Sequence, residues 1–142
     1  MPSEEILFQS AVALLAVIIP VWAIISGGRA ERWSALMFII ATVASKSVEQ
    51  FSEPQQAGTL FLTIDGVMAL GFLVLALVYN HLWIALMMFT MAGVFSIHAF
   101  YEMTGRDLDP TFALLSNLAT VVLLASLALG VWTSRRRTPQ RA

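Results

Sequence analysis

The sequence predicts an all-α, polytopic membrane helical bundle of about five transmembrane helices, N-terminus out and C-terminus in, forming a single domain over residues 1–142. Three observations carry that expectation. The chain is 58% hydrophobic and only 12% charged, with a mean hydropathy of +0.80, a balance that suits lipid better than an aqueous surface. Its apolar runs each reach about 20 residues, the length that crosses a bilayer as a helix, and short polar connections between them leave no room for a soluble domain. Its arginines gather on one side of the resulting topology.

The first span covers residues 6–26 and stops at Gly27-Gly28. Glu4 and Glu5 precede it, where a signal peptide needs positive charge, so it is expected to stay as a membrane helix. Pro20 removes the backbone bond to the Ala16 carbonyl and predicts a bend. The second span, 33–51, is the weakest, because its continuous apolar stretch ends at Ala44, ahead of Ser45-Lys46-Ser47-Val48-Glu49-Gln50. Polar residues around Pro54 and Gly58 form the next turn. The third span, 59–79, and the fourth, 82–103, are joined only by Asn80-His81, which predicts a tight antiparallel hairpin. A loop from Thr104 to Pro110 leads to the fifth span, 111–133, and a basic tail, 134–142.

With five spans, Arg29, Arg32, Arg135, Arg136, Arg137 and Arg141 share one side, against Arg106 alone in the loops of the other. The positive-inside rule makes the first side cytoplasmic in a bacterial inner membrane. Trp22, Trp33, Trp83 and Trp132 fall near the same side. They read, with Arg135, Arg136 and Arg137, as lipid-interface anchors.

Ionisable residues inside apolar segments are costly and mark functional candidates. From helix rise and a half-thickness of about 15 Å, Lys46 lies roughly 5 Å, Asp65 7 Å, His98 8 Å and Glu49 10 Å on the periplasmic side of the midplane, with Asn117 at about 7 Å. The hairpin sets Asp65 beside His98 and Ala69 beside Ala92 and Gly93, small residues that permit close helix approach. The expected site is a buried polar network in which Asp65 accepts from His98 and Lys46, with Glu49, Asn117 and Glu102 toward its outer rim. Its formal charges favour uptake of a proton.

The absence of cysteine excludes disulfides, thiolate metal sites and covalent c-type haem attachment. His81 and His98 stand about 25 Å apart along one helix, which excludes bis-histidine haem within one chain. Haem held between two copies of His98, or a divalent metal at His98 and Glu102, stays open as a minor alternative, and no cofactor is expected. Hydrolase, zincin and phosphate-loop motifs are missing. The expectation is therefore a protein that is not an enzyme.

Ile64-Asp65, the turn Asn80-His81-Leu82-Trp83, and Ile97-His98-Ala99 resemble a group of small uncharacterised alphaproteobacterial integral membrane proteins, a likeness confined to the third and fourth helices. In that group the turn before the tryptophan tends to carry a basic residue where His81 stands. An aspartate and a histidine occupy the places of Asp65 and His98. The resemblance implies an inner-membrane location and carries over no activity.

These observations lead to a non-catalytic small subunit or binding partner in a larger membrane assembly, its partners being lipids and other membrane subunits or further copies of itself, with no nucleic acid. A proton or ion pathway through Asp65 and His98 is the alternative, and a periplasm-facing metal or small-molecule pocket at His98 and Glu102 is the second.

Overall fold

The computed structural model describes residues 2–106 and 109–137, with side chains from residue 7 onward except those of 54, 55 and 137. It is a helical bundle of five helices: α1 (Pro2–Ser26), α2 (Arg29–Phe51), α3 (Pro54–Tyr79), α4 (Leu82–Thr104) and α5 (Pro110–Arg137). Each begins or ends beyond the apolar run that announces it, because hydropathy marks the lipid-immersed part of a helix whereas backbone hydrogen bonding continues into the polar flanks. At α3 the extension starts at Pro54, which takes a first-turn position that needs no amide hydrogen. α1 remains one helix through Pro20, which is fully buried.

Short connections set the order of packing. Asn80 ends α3 in the left-handed region, φ 50°, and its amide bonds the Ala76 carbonyl at 2.9 Å, so the chain reverses in two residues. Asparagine tolerates that conformation better than most residues with a side chain. Every helix packs on its neighbour in sequence, α5 closes the ring against α1, and α2 also touches α5. With five helices and short turns, α1 and α5 run the same way. Arg135 accordingly lies over the Trp22 ring at 5.8 Å, joining their C-terminal ends.

The interior is filled by Phe72 and Met68 of α3, Ile84 and Met87 of α4, Leu127 and Val131 of α5, and small residues of α1 and α2. The opposite side of α3 is also apolar: Val67, Leu70, Val74, Leu77 and Val78 point outward at helical spacing. A helix apolar all round belongs in lipid. Four helical segments, Leu7–Ser26, Gln56–Tyr79, Leu82–Thr104 and Pro110–Arg136, are long and apolar enough to cross a membrane.

α2 is not among these four. Its 23 residues reach as far as its neighbours, about 34 Å by helix rise. Arg29, Glu31, Arg32, Lys46 and Glu49 dilute its apolar character. It is held instead by a stripe of Ala30, Glu31, Ser34, Ala35 and Phe38 turned into the bundle. The expected close approach at Gly93 is also corrected: a Cβ built there meets nothing within 4 Å. The close approach of α3 to α4 is carried instead at Gly66, where a built Cβ would stand 3.2 Å from Phe95 Cε2, and α4 meets α5 tightly where a Cβ on Gly130 would stand 2.7 Å from Trp83 Cε2.

Candidate functional site

Asp65, in the second turn of the apolar part of α3, and His98, in the last two turns of α4, face one another across the hairpin that Asn80-His81 creates. His98 Nδ1 donates to Asp65 Oδ2. Their side chains are 13% and 17% exposed, so the pair is mostly withdrawn from the surface. Two rings flank the imidazole: Phe61 of α3, stacked at 6.2 Å, and Phe112 of α5, tilted at 4.6 Å. Phe112 is in turn edged by Tyr101 at 5.2 Å. Three helices thus build one apolar collar around a single polar contact. In such surroundings a hydrogen-bonded polar pair is costly to break from one side, because the remaining group keeps its desolvation penalty.

The rest of the expected network does not join the pair. Lys46 Nζ bonds Glu49 Oε2 at 2.6 Å, one turn along α2, and both side chains are well exposed. Lys46 therefore pairs within its own helix, and its expected bond to Asp65 is absent among the described residues. In the C-terminal half of α2 the half-buried positions are Ala41, Ala44, Ser45 and Val48, and Lys46 falls on the opposite, exposed side with Glu49, so the lysine is turned away from α3. Asn117 is half-buried on α5 and makes no side-chain hydrogen bond among the described residues. Glu102 turns toward the start of α3, accepting from Thr59 Oγ1 at 3.3 Å beside Gly58.

The arrangement at His98 can share or pass one proton between carboxylate and imidazole. Among the described residues no three His, Asp or Glu side chains converge on a metal position. A metal reading would rest on the Asp65–His98 pair alone, since Glu102 is engaged with Thr59. Haem bridging two copies would require His98 at the outer surface, whereas the phenyl rings of two other helix faces enclose it.

The tryptophans divide. Trp132 is exposed with the Arg136 guanidinium 3.7 Å from its ring, Trp33 is exposed, and Trp22 lies under Arg135. Trp83 is corrected: it is only 7% exposed, seated in the core against Gly130 instead of anchoring at the lipid surface. The Arg137 side chain and residues 138–142, Arg141 included, lie outside the described residues.

Sequence reasoning missed two features. Asp109 caps α5: its Oδ1 accepts the Phe112 amide at 2.8 Å and the Tyr101 hydroxyl at 2.9 Å. The Asp-Pro-Thr-Phe order, an acceptor just before a first-turn proline, signals that cap. The Phe112 amide, then the Tyr101 hydroxyl, hold the Asp109 carboxyl below its usual range. A carboxylate depressed in the folded protein stabilises it above the ordinary carboxylate range and loses that contribution as pH falls through the depressed value. Asp109→Ala should therefore lower the melting temperature near neutral pH, and the gap to the parent protein should close in strong acid. Asp109→Asn, which keeps an acceptor without the charge, should lose less than Asp109→Ala; an Asp109→Ala variant as stable as the parent near neutral pH would show that the cap contributes nothing.

The second missed feature is Glu31, only 4% exposed. Its position three and four residues before Ser34 and Ala35 places it on the buried stripe, a periodicity legible in the sequence but obscured by the flanking Arg29 and Arg32. Comparison of the chain with family models, with curated proteins and with solved structures finds no match, so the geometry of these side chains is what bears on function.

Proposed function

We propose that the protein is a non-catalytic subunit or binding partner in a larger assembly of the bacterial inner membrane, oriented with its N-terminus periplasmic and its arginine-rich end cytoplasmic. The observation that supports this reading is the outward face of α2. Thr42, Val43, Lys46, Ser47, Glu49 and Gln50 are exposed on a helix set between apolar neighbours. Thr42 and Ser47 satisfy their hydroxyls on carbonyls four residues back, while Lys46 and Glu49 satisfy each other. A face of this kind is poorly solvated by acyl chains, and a partner helix bearing polar groups covers it at lower cost. The resemblance of the third and fourth helices to small alphaproteobacterial membrane proteins supports the inner-membrane location. In this reading the Asp65–His98 pair fastens α3 to α4 and fixes the register of the bundle.

Native mass spectrometry of the protein, extracted from its own membranes in mild detergent, should find a stoichiometric membrane partner. Lys46→Leu/Glu49→Leu should release that partner while leaving the unfolding midpoint of the purified chain nearly unchanged, since an exposed ion pair contributes at most about 1 kcal/mol. A monodisperse protein without a partner, unaffected by the double substitution, would overturn the proposal. Reporter fusions after Gly28 and Pro54 should report opposite compartments; a shared compartment would refute the orientation and a crossing α2. The second reading, a proton or ion pathway, draws on the withdrawn Asp65–His98 contact and requires that Asp65→Asn abolish flux in proteoliposomes.

A further inference from the structure

The arginine end of the bundle contains a cavity of about 560 Å³ between α4, α5 and the start of α2. Trp83 and Leu86 of α4, Leu129 of α5 and Glu31 of α2 contribute to its lining, with His81 at the α3–α4 turn. Its size is that of pockets that hold drug-sized molecules. Three properties define what it could take.

First, the mouth is greasy and lateral. Leu86, Phe89 and Leu129 line the cavity and are exposed on the outer surface of α4 and α5, so an occupant can arrive from the acyl chains without crossing a polar barrier. Second, the floor is rigid. Trp83 is locked because Gly130 lies flat beneath its indole, and Ile84 next to it is fully buried. The ring thus offers the cavity an aromatic wall fixed in place. Third, the lining contains one carboxylate, Glu31, more than nine-tenths buried.

The surroundings of Glu31 decide the sign of the ligand. Among the described residues it forms neither a hydrogen bond nor an ion pair, although arginines crowd this end of the bundle. Three of those arginines are committed elsewhere, and Arg29, two residues before Glu31, is turned to the exposed side of α2. Arg32 Nε donates to the Gly27 carbonyl at 3.1 Å, Arg135 covers Trp22, and Arg136 covers Trp132. A carboxylate withdrawn from water, with the N-terminal end of α2 but no cationic side chain beside it, keeps part of its desolvation cost, and a cation that completes the pair recovers it. An apolar cavity reached from lipid, with an aromatic wall and one unmatched carboxylate, is complementary to an apolar body carrying one positive charge.

We propose that this cavity is a binding site for an amphipathic cation dissolved in the membrane, its apolar part against Trp83, Leu86 and Leu129 and its cationic head, an ammonium in natural ligands, at the Glu31 carboxylate. The head can belong to a free lipophilic amine or to an aminolipid. The site lies at the opposite end of the bundle from Asp65 and His98 and does not depend on the role of that pair.

The test uses the full chain in dodecyl maltoside and two probes of the same shape and opposite charge, tetraphenylphosphonium and tetraphenylborate, followed by isothermal titration. The cation should bind with one-to-one stoichiometry and the anion should not. Glu31→Gln should weaken cation binding at least ten-fold. Leu86→Trp, which fills the apolar arm and leaves the carboxylate intact, should weaken it too. Thermal unfolding of each variant identifies any that fails to fold; if Glu31→Gln does, the charge contrast in the parent protein together with Leu86→Trp decides. Equal binding of both probes, or cation binding insensitive to a folded Glu31→Gln and to Leu86→Trp, would overturn the proposal. Added phosphatidylethanolamine that displaces the cation identifies an aminolipid head as the ligand; absence of displacement identifies a free amphiphilic amine.

Discussion

Asp65→Leu should destabilise the bundle by about 2 kcal/mol, because it leaves the His98 imidazole enclosed by Phe61 and Phe112 with no acceptor. His98→Leu should cost a similar amount by stranding the carboxylate on α3. The double variant should be markedly more stable than the sum of the two losses, since leucine against leucine removes the polar contact and both desolvation penalties together. That non-additivity is the diagnostic quantity, and equilibrium unfolding of the four proteins in detergent measures it. Direct helix–helix hydrogen bonds in membranes average well below 2 kcal/mol, so most of each single loss comes from the stranded group and not from the bond itself. Strict additivity would mean that Asp65 and His98 do not act as a pair. The same variants bear on the proposed roles: a subunit loses stability or assembly with the pair, whereas a pathway loses flux even in the conservative Asp65→Asn.

Gly130→Ala should cost about 2 kcal/mol, the range expected when a methyl group is forced into a well-packed contact. The new Cβ would sit 2.7 Å from Trp83 Cε2 and 2.8 Å from Cδ2, distances no relaxed structure keeps. Trp83 is only 7% exposed, so either its indole is pushed toward the adjoining cavity or α4 and α5 separate locally. Gly93→Ala is the matched control. A Cβ at Gly93 touches nothing within 4 Å, and alanine is the better helix former, so this substitution should be neutral or stabilising by up to about 1 kcal/mol. Both glycines lie in apolar helices, yet the same chemical change should act in opposite directions. Equal effects at the two positions would show that the Trp83 contact does not govern packing at this end. Because Trp83 also forms a wall of the Glu31 cavity, Gly130→Ala should disturb cation binding there as well.

Helix content and the joining of α3 to α4 were legible in the sequence, for reasons that are local. Apolar runs of spanning length and a two-residue turn leave a chain few other arrangements. The Asp65–His98 contact was legible for the same reason: a hairpin closed at Asn80-His81 fixes which residues lie opposite, so counting outward from the turn suffices. Lys46 was not decided by counting. Its depth along α2 agrees with that of Asp65, but depth does not specify azimuth, and its nearest available acceptor is Glu49 on its own helix. Trp83 shows the same limit. Position near a helix end suggested an interfacial anchor, yet a glycine on α5, 47 residues away in sequence, opens the space that takes the indole into the core.

The sequence by itself determined the class of protein, the five helices and the one polar contact set by a tight turn, because hydropathy, helix period and hairpin register are properties of neighbouring residues. Only the tertiary structure decided which faces meet. It closed α5 against α1, turned Glu31 into a cavity beside Trp83 while the arginines went elsewhere, and left Lys46 on the outer surface, since each of these depends on how the helices rotate about their own axes to pack.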